Sequence, residues 1–297
     1  MAVTTAERSS HRACIYCGWK SPAAAGTTRP AGSSRSPIDH GLTMRKNHVR
    51  EKLHAGDAVI GAFLGLGSPN VAELMACAGY DWLVVETEHN GLDSAQIEHV
   101  LMALNGSDCI PIVRVPSADP IFIQKALDVG GMGILAPMVR TAAEARAIVS
   151  ATRYPPQGRR GFGPLRASRY TFDYPDYFAN ANDNILVALI LETKEALDNL
   201  AEIAAVPGID ALVLGLFDLC LSLGLDPMQQ PFAEVDRAIE QALAVCQKQG
   251  TAIGIGVGSP EELRQRHAQG FTFLTYGTDY MLLGAAARAG IDAFRNL

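Results

Sequence analysis

Trp82-Leu83-Val84-Val85-Glu86-Thr87-Glu88-His89 is an apolar run that ends abruptly in two carboxylates and an imidazole. A run this short, bounded by polar residues, reads as a buried strand. Its C-terminal end then delivers Glu86, Glu88 and His89 to one place. The competing reading is a strand followed by a charged, solvated turn, and the stretch alone does not choose. The choice depends on whether other strands bring matching chemistry to the same rim.

From Ala58 onward, apolar runs alternate with helical patterns. Eight runs read as strands: Val59–Leu64, Trp82–Val85, Pro111–Val115, Gly133–Ala136, Leu186–Leu191, Ala211–Leu214, Ala252–Ile255 and Phe273–Tyr276. Helical patterns lie near 69–79, 94–105, 119–130, 141–152, 194–205, 232–249 and 260–269, with a last one from about 279. Ser259-Pro260-Glu261-Glu262 reads as a capping box with Pro at the first helical position, and Asp93 or Ser94 as the cap of the second helix. Eight βα units at this length predict an α/β fold, a closed parallel (β/α)8 TIM barrel. The alternative, an open doubly wound sheet, lacks its fingerprint, because Gly61, Gly65 and Gly67 do not form GxGxxG after the first strand. Residues 153–184 show no regular pattern and read as one long loop of the functional or mobile kind. Its Arg159, Arg160, Arg166 and Arg169 suit either a distal substrate carboxylate or a solvated or subunit surface.

The 297 residues are 48% hydrophobic and 19% charged, with a formal net charge of −6. That balance gives no electrostatic reason to expect a nucleic-acid partner. No apolar run approaches the roughly 20 residues of a membrane span. Of six cysteines only Cys14 and Cys17 are close. His11 is near them, but no second CxxC follows, so a zinc knuckle is disfavoured. The remaining cysteines read as buried thiols of a reducing compartment, and a cytoplasmic location is expected. Residues 1–43 are rich in Ser, Ala, Thr, Pro and Gly, and basic. They read as a disordered or mis-called N-terminal arm, with some likeness to a transit peptide. Met44 looks like a natural chain start, which leaves residues 44–297 as a single barrel domain.

In a barrel, the residues just past the strand C-termini share the face that holds the active site. The third strand delivers Arg114 there, the fifth Glu192, and the sixth Gly215 and then Asp218. Gly254, Gly256, Gly258 and Gly277 follow at the seventh and eighth. An ionised carboxylate at the end of a six-residue apolar run needs a partner. Glu192 and Asp218, at neighbouring strand ends, are suited to a hard cation that takes oxygen ligands. The plainer alternatives pair Glu192 with an arginine and make Asp218 a helix cap. A guanidinium at the mouth, Arg114, suits a carboxylate or enolate oxygen, or else a structural salt bridge. The N–H groups of Phe217 and Asp218, opening a helical turn, suit a substrate carboxylate. A Schiff-base mechanism needs a lysine, and none of the six lysines ends a strand at the rim; Lys194 comes closest. That favours a metal as the electrophile.

These residues together resemble the HpcH/HpaI family of metal-dependent 2-oxo-acid aldolases, related to the citrate lyase β subunit. The resemblance runs from about Gly61 to the C-terminus. It is carried by Gly79-Tyr80-Asp81-Trp82 leading to Glu88-His89, by Pro111–Val115 and by Ala136-Pro137-Met138-Val139. Ala151–Gly158 with Arg160-Gly161, Leu191-Glu192-Thr193, and Gly215 with Asp218-Leu219 complete it. It implies a divalent cation (Mg²⁺, Mn²⁺ or Co²⁺) held by Glu192 and Asp218, with pyruvate chelated through its carboxylate and 2-oxo oxygens. Arg114 would stabilise the enolate oxygen, and His89, paired with Glu86, would handle protons. Asp128 matches an acid that reaches a neighbouring subunit's site, in hexamers with exchanged C-terminal helices. Three positions depart from the pattern: Glu86 where Asp is usual, Ile190 where Gln is common, and Leu216-Phe217 after Gly215.

The expected function is a class II aldehyde-lyase of aromatic- or sugar-acid catabolism. It would reversibly cleave a 4-hydroxy-2-oxo acid to pyruvate and an aldehyde through a metal-bound pyruvate enolate. The alternatives are an oxaloacetate decarboxylase, a macrophomate-synthase-like or acyl-CoA carbon–carbon lyase, or a metal- and 2-oxo-acid-binding protein impaired in turnover. The expected partners are small 2-oxo acids and aldehydes and further copies of the chain, with neither nucleic acid nor membrane.

Overall fold

All eight apolar runs are strands: β1 (Val59–Leu64), β2 (Trp82–Glu86), β3 (Ile110–Arg114), β4 (Gly133–Ala136), β5 (Leu186–Leu191), β6 (Ala211–Leu214), β7 (Ala252–Val257) and β8 (Phe273–Thr278). Each pairs in parallel with the next and β8 pairs with β1, closing the barrel and excluding the open sheet. The computed structural model describes residues 44–229 and 231–297, which all fall in one unit of the chain, Leu42–Leu297. The expectations for residues 1–43, including the Cys14–Cys17 pair, lie outside the described residues. No helix among the described residues is long and apolar enough to cross a membrane.

Strand alternation places the chemistry. Trp82, Val84, Ile110, Ile112, Leu186, Ala188 and Ile190 share one apolar cluster inside the barrel. The intervening Leu83, Val85, Val113, Val187, Leu189 and Leu191 belong to the cluster between barrel and helices. Counting onward by two residues, the interior parity reaches Glu86 on β2, Arg114 on β3 and Glu192 just past β5. The register sets Glu86 opposite Arg114. The same alternation that fills the barrel with apolar side chains therefore brings charge to its C-terminal mouth.

Trp82 is the largest interior side chain and stacks on Phe273 with ring centroids 4.2 Å apart. A Cβ on Gly61 would lie 2.0 Å from the Trp82 ring, so the neighbouring strand carries glycine there. Gly61→Ala is expected to overpack the barrel at a cost of about 1–3 kcal/mol. The readout is a lower urea midpoint at unchanged m-value.

Around the barrel run α2 (Pro69–Cys77), α3 (Ser94–Ala103), α4 (Pro120–Asp128), α5 (Ala142–Thr152), α10 (Ala233–Gln249), α11 (Pro260–Gln269) and α12 (Asp279–Arg295), each where a helix was expected. The structure adds α1 (His48–Ala55), which closes the barrel's lower end. Val49 and Leu53, one turn apart on α1, join the interior cluster, and Asn47 Nδ2 donates to the carbonyls of Met132 and Asn184. The expected helix over 194–205 is two short ones, α7 (Lys194–Asp198) and α8 (Leu200–Ala204), divided at Asn199. The presumed loop 153–184 contains α6 (Tyr174–Asn184), which buries only Tyr177 and Ala181. The expected capping box of α11 is half formed. Ser259 accepts the Glu262 N–H, but the Glu262 carboxylate reaches back to the N–H of Gly258, one residue further out. Asp93, with Gln96, makes a full capping box on α3. A short helix, α9 (Leu216–Ser222), follows β6.

The first and last βα units are tied at the mouth. Asp279, buried at the start of α12, accepts the N–H groups of Gly65 and Leu66 just past β1, at 2.9 and 3.0 Å. Beyond Asp279, α12 buries none of its residues, and Tyr280, Met281, Leu283, Ile291 and Phe294 are exposed.

Candidate active site

The mouth of the barrel centres on Arg114. Its Nη1 donates to Glu86 Oε2 at 3.1 Å, and its Nη2 is in contact with Glu88. Glu192 Oε2 lies further off, 3.9 Å from Nη2. The Arg114, Glu86 and Glu88 side chains are 11–16% exposed, so this is a largely desolvated ionic cluster. Arg114 Nε is buried and has no hydrogen-bond partner. The salt-bridge alternative for Arg114 is thus real, and it leaves one donor free.

Glu86 builds the turn that follows β2. Its Oε1 accepts the N–H groups of Glu88 and His89 at 2.7 and 3.2 Å. The expected pairing of the His89 ring with Glu86 does not occur. The ring's carboxylate neighbour is Glu88, with His89 Nε2 3.5 Å from Glu88 Oε2. The physical reason is that backbone N–H groups and Arg114 already occupy both oxygens of Glu86. The His89 side chain is 62% exposed, open to solvent above the cluster.

Glu192 is buried at 2% exposure. Its Oε1 accepts the Met138 N–H at 2.6 Å. Met138 holds a left-handed φ of 56° to aim that N–H. A non-glycine residue in this conformation costs on the order of 1–3 kcal/mol, and such costs gather at functional sites. Gly215 completes the seat, since a Cβ there would lie 2.7 Å from Glu192 Oε2 and 2.9 Å from Ile190 Cγ2. Burial pushes the Glu192 carboxyl above the ordinary carboxylate range, against the Met138 N–H and Arg114, and the nearby Asp218 and Glu88 push the same way. Burial likewise raises Glu88, opposed by Arg114 and His89. Asp218 sits half-buried in the first turn of α9. It is not that helix's cap, since the N-cap is Gly215 and no side chain caps it.

Three carboxylates, Glu86, Glu88 and Glu192, thus lie within 4 Å of one guanidinium, and Asp218 adds a further negative charge beside Glu88 and Glu192. Glu192 and Asp218 supply two hard oxygen donors, the kind of set that suits a divalent cation. Among the described residues no group of three or more His, Cys, Asp or Glu side chains is arranged to hold a metal. A cation held by two acids would keep its other positions for water and substrate oxygens.

The remaining candidates lie elsewhere. Asp128, at the end of α4, accepts a 2.7 Å bond from Arg160, whose guanidinium packs over the Tyr154 and Tyr177 rings. Arg166 donates to the Val129 carbonyl, and Arg169 pairs with Asp173. With Arg45 these two line a cavity of about 700 Å³ beside Gly130–Met132, where β4 begins rather than where strands end. Within one chain, therefore, Arg166 and Arg169 face away from the mouth. Sequence reasoning missed the contributions of Met138 and of the glycine at 215 to seating Glu192. No local signal marks methionine for a left-handed backbone.

A closed parallel barrel with acids, an arginine and a histidine gathered past its strand C-termini is the architecture of an enzyme. Residues 59–286 match the model of the HpcH/HpaI aldolase/citrate lyase family, and the chain belongs to that family. It is 38% identical over 252 residues to the hydroxypyruvate/pyruvate aldolase of Roseovarius nubinhibens, covering 84% of this chain and 97% of that one. It is 41% identical over 247 residues to the 4-hydroxy-2-oxo-heptane-1,7-dioate aldolase of Escherichia coli, covering 82% and 93%. Among solved structures, an HpcH/HpaI aldolase/citrate lyase family protein from Burkholderia cenocepacia superposes with a TM-score of 0.80 at 33% identity, covering 84% of this chain and all of the other.

Proposed function

We propose that this protein is a divalent-metal-dependent pyruvate-type aldolase that reversibly cleaves a 4-hydroxy-2-oxo acid to pyruvate and an aldehyde. The observation that carries the proposal is the juxtaposition of Glu192 and Asp218 with Arg114 at one barrel mouth. The names of the two aldolase relatives above agree with it.

Glu192 and Asp218 would hold the cation, which when bound supplies Lewis-acid polarisation of the 2-oxo group. The free N–H groups opening α9, at Phe217 and Asp218, receive the substrate carboxylate; Gly215 before them adds no side chain in the way. His89, open to water, accepts the C4 hydroxyl proton. As the C3–C4 bond breaks, the C4 oxygen becomes the aldehyde carbonyl and the bonding pair passes to C3, giving pyruvate enolate. Arg114, whose Nε has no partner in the protein, would stabilise the negative charge that grows on the enolate oxygen. The exposed apolar side chains of α12 favour an assembly of several copies, a hexamer in our reading, acting in the cytoplasm with Asp128 contributing to a neighbouring site.

The test is a panel of aldehydes condensed with pyruvate in Mg²⁺, Mn²⁺ or Co²⁺, with the reverse reaction followed as pyruvate release. Turnover is expected to vanish with EDTA and return with added metal. Undiminished turnover in EDTA contradicts the metal role. Oxaloacetate turnover without any aldehyde-dependent product points to a decarboxylase instead.

A further inference from the structure

The turn after β2 carries two carboxylates, and their surroundings give them different roles. Both oxygens of Glu86 are occupied, Oε1 by two backbone N–H groups and Oε2 by Arg114 Nη1. Glu86 therefore fixes the backbone and one edge of the guanidinium and makes no contact with the His89 ring. Glu88 stands between the two functional side chains. Its Oε2 is in contact with Arg114 Nη2 and lies 3.5 Å from His89 Nε2. The Glu88 side chain is 16% exposed and the ring 62%. An exposed ring at the surface is thus next to a less exposed anion below it.

We infer that Glu88 is a positioning residue for this site: one carboxylate oxygen stands in charge contact with both the guanidinium of Arg114 and the Nε2 edge of the His89 imidazole. The inference rests on the aldolase reading above, in which His89 takes the hydroxyl proton and Arg114 holds the enolate oxygen. A single carboxylate then sets the spacing between the proton acceptor and the enolate-binding cation. The 3.5 Å between Oε2 and Nε2 is a charge contact and not a hydrogen bond; a small tilt of the ring that closes it would favour the tautomer protonated on Nε2, with the lone pair on Nδ1 as the base.

The experiment compares the wild type, Glu88→Gln and Glu88→Asp as full-length, metal-loaded protein. It measures retro-aldol kcat and KM, divalent-cation affinity, and the ¹⁵N resonances of the His89 ring. Glu88→Gln is expected to lower kcat about 10²-fold, the scale of one acid–base group, with KM and cation affinity little changed. Glu88→Asp, which keeps the charge on a shorter arm, is expected to fall between. The double variant Glu88→Gln with His89→Asn is expected to be less than additive, since one group acts through the other. In the wild type the ring proton is expected on Nε2, and that preference is expected to weaken in Glu88→Gln. A wild-type kcat in Glu88→Gln, a loss confined to KM, or full additivity overturns the inference. If Glu88→Gln does not fold, the wild-type ring spectrum decides, because a ring protonated on Nδ1 alone overturns it. A wild type that folds and binds metal but cleaves no 4-hydroxy-2-oxo acid refutes the aldolase reading. The ring spectrum still judges the Glu88 contact in that case.

Discussion

Glu192→Ala is expected to abolish divalent-cation binding and to lower retro-aldol kcat/KM by about 10³-fold or more. A Lewis acid contributes several kcal/mol to such a transition state, and each 1.36 kcal/mol is about tenfold in rate. The structure lets loss of the cation be separated from loss of the fold. The Glu192 carboxylate accepts the Met138 N–H, and that bond disappears in the alanine variant. Glu192→Gln retains an acceptor oxygen for that N–H but not the charge. Both variants are expected to fail in calorimetric titration with Mn²⁺, with the glutamine variant keeping its thermal midpoint. The same site predicts a pH dependence. Burial raises the Glu192 carboxyl, so in the metal-free protein it takes up a proton at a higher pH than an ordinary glutamate does. Cation binding requires the deprotonated form. Affinity should therefore weaken on acidification, starting above the ordinary carboxylate range near pH ~4.3. The metal-free fold behaves oppositely: a raised carboxyl stabilises the folded state as pH falls through that window and loses this contribution as pH rises. Cation affinity that does not change on acidification through this range would contradict the role given to Glu192.

Arg114→Met is expected to cost both activity and stability. Removing one donor to a developing oxyanion costs about 10²–10³-fold in kcat. The variant also leaves the buried Glu86 and the half-buried Glu88 without their cation. Breaking a buried ion pair from one side typically costs about 3–5 kcal/mol, and for a domain of this size about 1 kcal/mol shifts the melting midpoint by ~2–4 °C. A fall on the order of 10 °C is therefore expected by calorimetry. Arg114→Lys should not rescue it, since a point charge cannot span Glu86 and Glu88 as a planar guanidinium does. Combining Arg114→Met with Glu88→Gln should recover part of the midpoint and none of the rate. An unchanged melting temperature in Arg114→Met would refute the desolvated cluster.

Much of this was legible in the sequence because strand chemistry is local. The switch from Val85 to Glu86, and from Leu191 to Glu192, marks both a strand end and a barrel rim. The elements that escaped notice depend on partners distant in the chain. Helix α6 ends in Asn180, Asn182, Asp183 and Asn184, poor helix formers, and buries only two side chains, so no periodicity announced it. Helix α1 is short, and its two inward residues are recognisable only once there is a barrel end to plug. The aim of Glu88 could not be fixed from spacing, because Glu86 bends the chain just where strand alternation stops. The seat of Glu192 is tertiary, built by Met138 from one loop and Gly215 from another.

The Asp279 tie has a consequence in time. Its carboxylate meets the backbone of Gly65 across 214 positions of chain. At about 5–20 residues per second, β1 emerges from the ribosome roughly 10–40 s before the residue that fastens it. For that interval its far edge has no β8 to pair with, and an unpaired apolar edge invites pairing with other nascent chains. The seam between first and last strands should therefore be the region of this protein most dependent on protection during synthesis, and late substitutions at Asp279 should reduce soluble yield more than they reduce the activity of the molecules that do close.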